Sequence, residues 1–240
     1  MTYRQKLIIS GRKAELYQFE APITVGRKRK RRVIRRRTKQ EVAAEVAANE
    51  DSAFQMEIIR DFSLRRTRSR ITRLINSNED MRTFITLTFK DNITELAEAN
   101  IIFKRFIQRL KRQIPTLKYL AVPEFQKRGA VHYHVLVNIE YLDNSKLAEI
   151  WQQGFVMINK VQHINNLGLY ISKYIGKNLF DVRYFGMRKV LCSRNLEQPV
   201  IITITKEIIG FFNSIKLELL LEKNYLSDWL GKINYRLYGT

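Results

Sequence analysis

Residues 124–138 read Glu-Phe-Gln-Lys-Arg-Gly-Ala-Val-His-Tyr-His-Val-Leu-Val-Asn, and they predict a β-hairpin with two histidines on one strand. The second half is rich in β-branched and apolar residues, which is typical of a strand. Side chains two apart on a strand share a face, so His132 and His134 point the same way. Lys127, Arg128 and Gly129 predict a three-residue hairpin loop, because glycine readily takes the left-handed conformation.

The length of this loop predicts which residues face each other across the hairpin. If Gln126 and Ala130 close the loop, Glu124 falls directly opposite His132, and opposed side chains lie within about 5 Å of each other. One carboxylate and two imidazoles would then converge, which makes Glu124, His132 and His134 a candidate divalent-metal site. A one-residue change in register would turn Glu124 to the other face and leave the histidine pair intact.

The composition indicates a polyanionic partner. The 240 residues include 43 Lys and Arg against 23 Asp and Glu, a formal net charge of +20. A charge of this size does not specify a fold but favours binding to nucleic acid. Cys192 is the single cysteine, which excludes a disulfide framework and a cysteine-based zinc module. We expect a cytoplasmic protein of a bacterial cell, without a signal peptide and without a membrane span.

Three regions are predicted along the chain. Residues 1–80 would form a β-hairpin, a basic arm and a helical extension; residues 81–180 the core; and residues 181–240 a β-rich extension packing on that core. The basic arm is nearly all Arg and Lys from residue 27 to 39. Such a run is either a solvated linker or an arm that lies on phosphates, and the absence of acidic residues within it favours the arm.

The core pattern predicts an α+β fold. A strand at residues 83–90, a helix capped by Thr94 and running to Gln113, the histidine hairpin, a short helix ending at Gly154, and a strand at 155–161 give the order β-α-β-β-α-β. A further helix follows at 167–177. We expect an antiparallel-rich central sheet covered by helices on one face, with strands at 188–193, 200–206, 216–222 and 233–238 beyond it.

The helix at 167–177 carries the second candidate group. Tyr170 and Tyr174 are four apart and therefore share a helix face, with Lys173 and Lys177 beside them. One interpretation is an amphipathic helix with half-buried tyrosines. The other is a tyrosyl nucleophile. A phenol with a pKa near ~10 is a weak nucleophile at neutral pH, so it needs a cation to stabilise the phenolate or a metal to polarise its target.

In these three motifs the chain resembles the HUH endonucleases, specifically the rolling-circle replication initiator (Rep) proteins of bacterial plasmids and single-stranded DNA phages. Residues 84–89, Phe-Ile-Thr-Leu-Thr-Phe, are similar to the first motif. Residues 131–135, Val-His-Tyr-His-Val, are similar to the His-hydrophobic-His motif, and Glu124 stands where many Reps place an acidic ligand. Residues 170–174, Tyr-Ile-Ser-Lys-Tyr, resemble the nucleophile motif in its paired-tyrosine form. The resemblance covers roughly residues 81–177.

The resemblance implies a ferredoxin-like or RRM-like nuclease core and a metal-dependent reaction. Its members nick and rejoin single-stranded origin DNA through a 5′-phosphotyrosine link that leaves a free 3′-hydroxyl as primer. It implies Mg²⁺ or Mn²⁺ as cofactor, held by His132, His134 and Glu124. The same resemblance gives Tyr170 and Tyr174 as nucleophiles, with Lys173 beside them. The implied partners are origin DNA, a host helicase and a DNA polymerase.

Origin recognition is expected from basic residues outside this site, and the oligomeric state stays open between monomer and dimer. The chain has no Gly-x-x-x-x-Gly-Lys-Ser/Thr phosphate loop, so strand separation would come from a recruited helicase or from supercoiling. The candidate DNA-binding residues are all basic side chains: Arg27, Lys28, Arg29, Lys30, Arg31, Arg32, Arg35, Arg36, Arg37, Lys127, Arg128, Lys177 and Arg194.

Two other functions fit the same sequence. A single-strand transposase of the HUH type would share the chemistry and differ in its preferred DNA. A non-catalytic DNA-binding regulator would tolerate changes at Glu124, His132, His134 and both tyrosines. Relaxases, a related class, use a third histidine and an N-terminal tyrosine; His163 lies in a predicted loop and is expected to be structural or exposed.

Overall fold

Two antiparallel sheets of five strands organise the chain. The computed structural model describes residues 1–26, 50–140, 142–161, 167–168, 170–171, 182–184 and 187–239, with residues 50–62 described by their backbone. In chain order the elements are β1 (Thr2–Ser10), β2 (Lys13–Thr24), α1 (Glu50–Asn76), β3 (Thr83–Thr88), α2 (Leu96–Gln113), β4 (Tyr119–Phe125), β5 (Val131–Val137), α3 (Asn144–Trp151), β6 (Val156–Lys160), β7 (Leu191–Cys192), β8 (Val200–Ile202), α4 (Thr205–Ser214), β9 (Glu218–Ser227) and β10 (Gly231–Gly239).

The first sheet joins the two ends of the chain. Its strand order is β8-β1-β2-β10-β9, with every pair antiparallel. Helix α4 packs Ile208 against Leu7, Ala14 and Leu16, which alternate along β1 and β2 as the period of a strand requires. This sheet and its helix belong to a compact unit formed by Met1–Arg36 and Glu197–Thr240.

The second sheet has the order β6-β3-β5-β4-β7 and lies in the unit Arg37–Leu196. Its central part, β3-α2-β4-β5-α3-β6, is the β-α-β-β-α-β arrangement of ferredoxin-like folds. Neighbouring strands in this sheet are all antiparallel. The α+β fold with an antiparallel sheet and helices packed on it is therefore confirmed.

Both faces of the second sheet are covered, which corrects the expectation of one covered face. On one face, Tyr133 and Val135 of β5 pack with residues of α2 and α3, including Phe106 and Trp151. On the other, Leu136 packs in a cluster that includes Ile71 of α1. The alternation along β5 sends successive side chains to opposite faces, so a strand that is apolar on both sides is buried between two layers.

The histidine hairpin forms as the loop predicts. The amide of Gln126 donates to the carbonyl of Ala130 at 2.9 Å, and the amide of Gly129 donates to the carbonyl of Gln126 at 2.8 Å. Gly129 has φ +89°, a conformation that L-residues with a side chain rarely adopt. Glu124 pairs with His132, so the predicted register is confirmed.

Three local predictions are wrong. Helix α2 begins after Glu95, and no side chain caps it, so Thr94 is not the cap. Helix α3 ends at Trp151, where Gln152 rather than Gly154 takes the left-handed position. The strand expected at 200–206 stops at Ile202, and residues 205–214 form α4, an element that the sequence analysis did not predict.

The grouping of the chain ends also differs from a linear division into residues 1–80, 81–180 and 181–240. Strand β2 pairs with β10 over seven residue pairs, and β1 pairs with β8, so the N-terminal hairpin and the C-terminal strands share one sheet. The described part of α1 belongs with the second sheet through Leu64 and Ile71. Within the described residues, no helix has the length and apolar character that crossing a membrane requires.

Gly129→Ala should destabilise the protein by about 1–2 kcal/mol, because φ +89° strains a residue that carries a Cβ. The space itself is adequate, since a Cβ there would lie 3.6 Å from its nearest neighbours. Gly129→Asn should cost less, since asparagine tolerates positive φ better. Urea unfolding of the three proteins checks this, and equal stability of all three would contradict it.

Candidate active-site cleft

The sheet places the two histidines between polar residues of the neighbouring strands. On β5, His132 is paired with Thr88 of β3 on one side and Glu124 of β4 on the other. His134 is paired in the same way with Thr86 and Val122. Directly paired residues of an antiparallel sheet share a face, so one face carries both imidazoles, the carboxylate and the hydroxyl groups.

The hydrogen bonds run diagonally across this register. His134 Nε2 donates to Glu124 Oε2 at 2.6 Å, and the two side chains are only 9% and 17% exposed. His132 Nδ1 lies 3.2 Å from the hydroxyl of Thr88. The two imidazole rings are 5.1 Å apart between centroids and inclined at 76°. Glu124 thus stands opposite His132 and bonds His134, which holds all three side chains in one patch.

The pKa of His132 is lowered to about 4. Burial, which disfavours the imidazolium, is the main cause, and the neighbouring His134 lowers the pKa further. Glu124 acts in the opposite direction, and Arg128 adds a smaller lowering. His132 is therefore a neutral imidazole at ordinary pH, the form in which histidine binds metals.

The residue types in this patch suit a divalent cation. Two imidazoles and a carboxylate are donors that Mn²⁺ and similar ions accept. The second nitrogen of a metal-binding histidine usually bonds an oxygen atom, and Thr88 occupies that position for His132. Among the described residues, no group of three or more His, Cys, Asp and Glu side chains forms a ready-made cation site. Glu124 and His134 are instead hydrogen-bonded to each other.

Tyr170 lies beside the histidine face. Its ring packs edge-on against Phe84, with 6.1 Å between centroids, and Phe84 stacks on His134 at 5.5 Å and 12°. A cleft of about 590 Å³ is lined by Tyr170 together with His132 and His134. Tyr170 is only half-buried, so a tyrosyl side chain and two imidazoles border one open cleft.

A close helix approach positions the Tyr170 segment. Residues 167–168 and 170–171 are helical, and Leu167, Tyr170 and Ile171 pack into the cluster that includes Ile71 of α1. A Cβ on Gly168 would lie 2.9 Å from the Cα of Thr72, closer than side-chain carbons approach backbone. Glycine at this position therefore allows the segment to pack directly on α1.

The structure places the other predicted site residues as follows. Lys127 is exposed at the hairpin tip. The neighbouring Arg128 bonds the side chain of Gln126 and the carbonyl of Phe89. Arg194 is exposed next to Ser193, which bonds Tyr119 at the opposite end of β4 from Glu124.

The remaining predicted residues, and the third histidine, lie outside the described residues. These are Tyr174, Lys173, Lys177, His163, Arg27, Lys28, Arg29, Lys30, Arg31, Arg32, Arg35, Arg36 and Arg37.

Two contributors to the cleft were not singled out as functional in the sequence. Thr88 contacts His132, and Phe84 connects His134 with Tyr170. A signal was present, because Phe84, Thr86 and Thr88 alternate on β3 and must share a face. What the sequence lacked was the pairing of β3 with β5, which brings that face beside the histidines.

Gly168→Ala should destabilise the second unit by about 1–3 kcal/mol, since the added methyl group overlaps the backbone of Thr72. Gly210→Ala in α4 is the matched control: a Cβ there meets nothing within 4 Å, and alanine favours a helix by about 1 kcal/mol. Thermal unfolding followed by circular dichroism compares the two. A Gly168→Ala protein as stable as the wild type would show that the close approach is not required.

Residues 82–179 match a family model of replication-associated proteins, described as the ORF2 type. The matched segment contains the ferredoxin-like core, the histidine hairpin and the Tyr170 segment. Comparison with curated proteins and with solved structures gave no match. The family match covers less than half of the chain and supports a role in replication for this protein.

Proposed function

We propose that this protein is a rolling-circle replication initiator that nicks and rejoins single-stranded origin DNA. The observation that carries the proposal is the cleft lined by Tyr170, His132 and His134, within a segment similar to replication-associated proteins. A nucleophilic hydroxyl and a patch suited to a divalent cation at one open cleft are what phosphodiester transesterification requires. Because the cleft is open, an unpaired strand can enter it.

Tyr170 is the proposed nucleophile. Its oxygen attacks the scissile phosphorus and forms a phosphotyrosyl ester, while the bond from phosphorus to the 3′-oxygen breaks. The phenol loses a proton to water and the departing 3′-oxygen gains one, so the products are a 5′-phosphotyrosyl strand and a free 3′-hydroxyl. One ester replaces another, so a later strand transfer can rejoin the ends without ATP.

The chain's own residues orient this reaction. Phe84 fixes the Tyr170 ring by an edge contact and the His134 ring by stacking, so one side chain positions both groups. His132, His134 and Glu124 would hold Mg²⁺ or Mn²⁺. When bound, such a cation polarises the phosphoryl oxygen as a Lewis acid and offsets the charge that develops in the transition state. Thr88 holds the His132 ring through Nδ1.

The second tyrosine and its lysine complete the proposal. Tyr174 lies four residues after Tyr170 and would perform the closing cleavage, which returns the displaced strand as a circle. Lys173 would stabilise the phenolate or the phosphate charge. The free 3′-hydroxyl would prime a host polymerase, with strand separation supplied by a host helicase or supercoiling.

Phosphate contacts outside the cleft are proposed for two groups of described residues. Lys127 and Arg128 lie on the hairpin loop next to the histidine strand, and Arg128 influences the pKa of His132, which indicates its proximity. Helix α1 exposes Arg65, Arg66 and Arg70. Such contacts fix the position of the strand and make binding weaken steeply with salt.

Wild-type protein with Mn²⁺ should form a covalent adduct with single-stranded DNA. The probe is an oligonucleotide with a random centre and different fluorophores at its two ends. The adduct should carry the 3′-end label, because the tyrosine keeps the downstream strand, and the released strand should carry the 5′-end label. Denaturing gel electrophoresis measures both, and sequencing of the adducts identifies the preferred site.

Tyr170→Phe should lower adduct formation at least a hundredfold, unless Tyr174 substitutes for it, and the double variant should abolish it. Tyr238→Phe, a tyrosine packed in the first sheet, is the control and should react like the wild type. Adduct formation by the double variant would overturn the nucleophile assignment. An absence of cleavage with every metal and every sequence would favour a non-catalytic regulator. A preference for transposon ends would favour a transposase.

Alanine at His132, His134 or Glu124 should weaken Mn²⁺ binding tenfold or more, because each substitution removes one ligand. Electron paramagnetic resonance of the free ion measures this without reference to activity. His163→Ala, at the third histidine of the chain, is the control and should bind Mn²⁺ like the wild type. Unchanged binding in the Glu124 variant alone would remove Glu124 from the ligand set and leave the histidine pair.

A further inference from the structure

A continuous row of aromatic rings crosses one face of the first sheet. Each ring contacts the next across four neighbouring strands, β1, β2, β10 and β9. The centroid separations are 6.3 Å for Tyr3–Phe19, 6.3 Å for Phe19–Tyr17, 4.9 Å for Tyr17–Tyr235 and 6.4 Å for Tyr235–Tyr225. The planes of Tyr17 and Phe19 differ by only 8°. We call these five side chains the aromatic row.

The aromatic row lies on the face of the sheet that α4 does not cover. Leu16 on β2 packs toward Ile208 of α4, and its neighbour Tyr17 must therefore point to the other face. Among the described residues of this unit, α4 is the one helix. Tyr225 is 47% exposed, and the other four rings are half-buried, so ring surface is accessible to a ligand.

A nearly buried carboxylate holds the central rings in place. The hydroxyl of Tyr17 donates to Glu15 Oε2 at 2.9 Å, and the hydroxyl of Tyr235 lies 3.5 Å from the same oxygen. Glu15 is 9% exposed, so the rings shield its charge from solvent. Rings fixed in this way lose little conformational freedom when a planar group stacks on them.

Positive charge accompanies the aromatic row. Lys6 is paired directly with Tyr17 and Lys223 directly with Tyr235, so both lysines lie on the face of the rings. Strand β2, which carries Tyr17 and Phe19, ends at Thr24, and the basic run begins three residues later. Nine of the eleven residues at 27–37 are Arg or Lys, so the sequence next to the sheet adds to its positive charge.

Aromatic rings flanked by cations fit one class of ligand better than others. Single-stranded nucleic acid offers bases that stack on rings and phosphates that pair with cations, and the stacking tolerates any sequence. A duplex keeps its bases stacked internally and cannot use the rings. Cross-strand packing alone would account for the ring contacts, but it requires neither accessible rings nor lysines beside them.

We propose that the aromatic row is a stacking platform for single-stranded DNA, a second DNA-binding site built from residues other than those of the His–Glu cleft. Comparable sheet platforms bind about 4–16 nucleotides. The site does not depend on the nicking chemistry. It would hold an unpaired strand without reading its sequence, while Lys6 and Lys223 contact phosphates.

Binding of a fluorescent oligothymidylate of about 12 nucleotides tests the platform in the full-length protein. Tyr225→Leu and Tyr235→Leu keep apolar volume but remove the ring, and each should raise the Kd about tenfold, as expected for one lost base–aromatic stack. Tyr225→Phe keeps the ring and should bind like the wild type. Leu226→Ser is the matched control, since Leu226 adjoins Tyr225 on the strand and is 87% exposed. Fluorescence anisotropy at fixed salt measures all four.

Photocrosslinking separates lost stacking from lost folding. An oligonucleotide with 5-iodouracil should crosslink to peptides containing Tyr17, Tyr225 or Tyr235 in wild-type protein. An oligouridylate of the same length shows whether RNA binds as well, and a duplex of that length should compete poorly. Unchanged affinity in both leucine variants, or crosslinks confined to residues 50–196, would overturn the platform. Tyr170→Phe should bind oligothymidylate like the wild type, so a failure of nicking would leave this result standing.

Discussion

The register of the β4–β5 hairpin is the constraint on which the candidate site depends. Side chains alternate along a strand, so Glu124 shares a face with His132 and His134 only when the loop contains three residues. Gly129 makes that loop possible through its positive φ, and the backbone bonds of Gln126 close it. A two- or four-residue loop would turn the carboxylate into the core beneath the sheet. The cleft therefore depends on the conformation of one glycine that does not line it.

The second constraint is the layer of helices above the histidine face. Burial of Ile71, Leu136 and Ile171 covers one part of that face, while the part around His132 stays open as a cleft. Apolar packing thus positions the tyrosine segment without closing the entrance. Close packing also explains why a methyl group at Gly168 cannot be accommodated easily. Stability and access are divided between two regions of a single sheet surface.

The hairpin, the α+β core and the shared face of the histidines could be predicted because they depend on neighbours in the sequence. The diagonal bond from Glu124 to His134 and the contact of Thr88 with His132 could not, because they require the order of strands in the sheet. Helix α4 was missed because its Ile-Ile-Gly-Phe-Phe core has the β-branched and aromatic residues of a strand. The assignment of a metal and of a tyrosyl nucleophile remains a prediction.

The pairing of β2 with β10 has a consequence for synthesis of the chain on the ribosome. A strand that ends at Thr24 waits for a partner that begins at Gly231, and at about 5–20 residues per second this interval lasts on the order of 10–40 s. During that time the N-terminal hairpin has one edge without its native neighbour, while Arg37–Leu196 has already emerged. Nascent chains are exposed to edge-to-edge association in this interval. Expression at low temperature or with chaperones should therefore affect the yield of the first sheet more than that of the second.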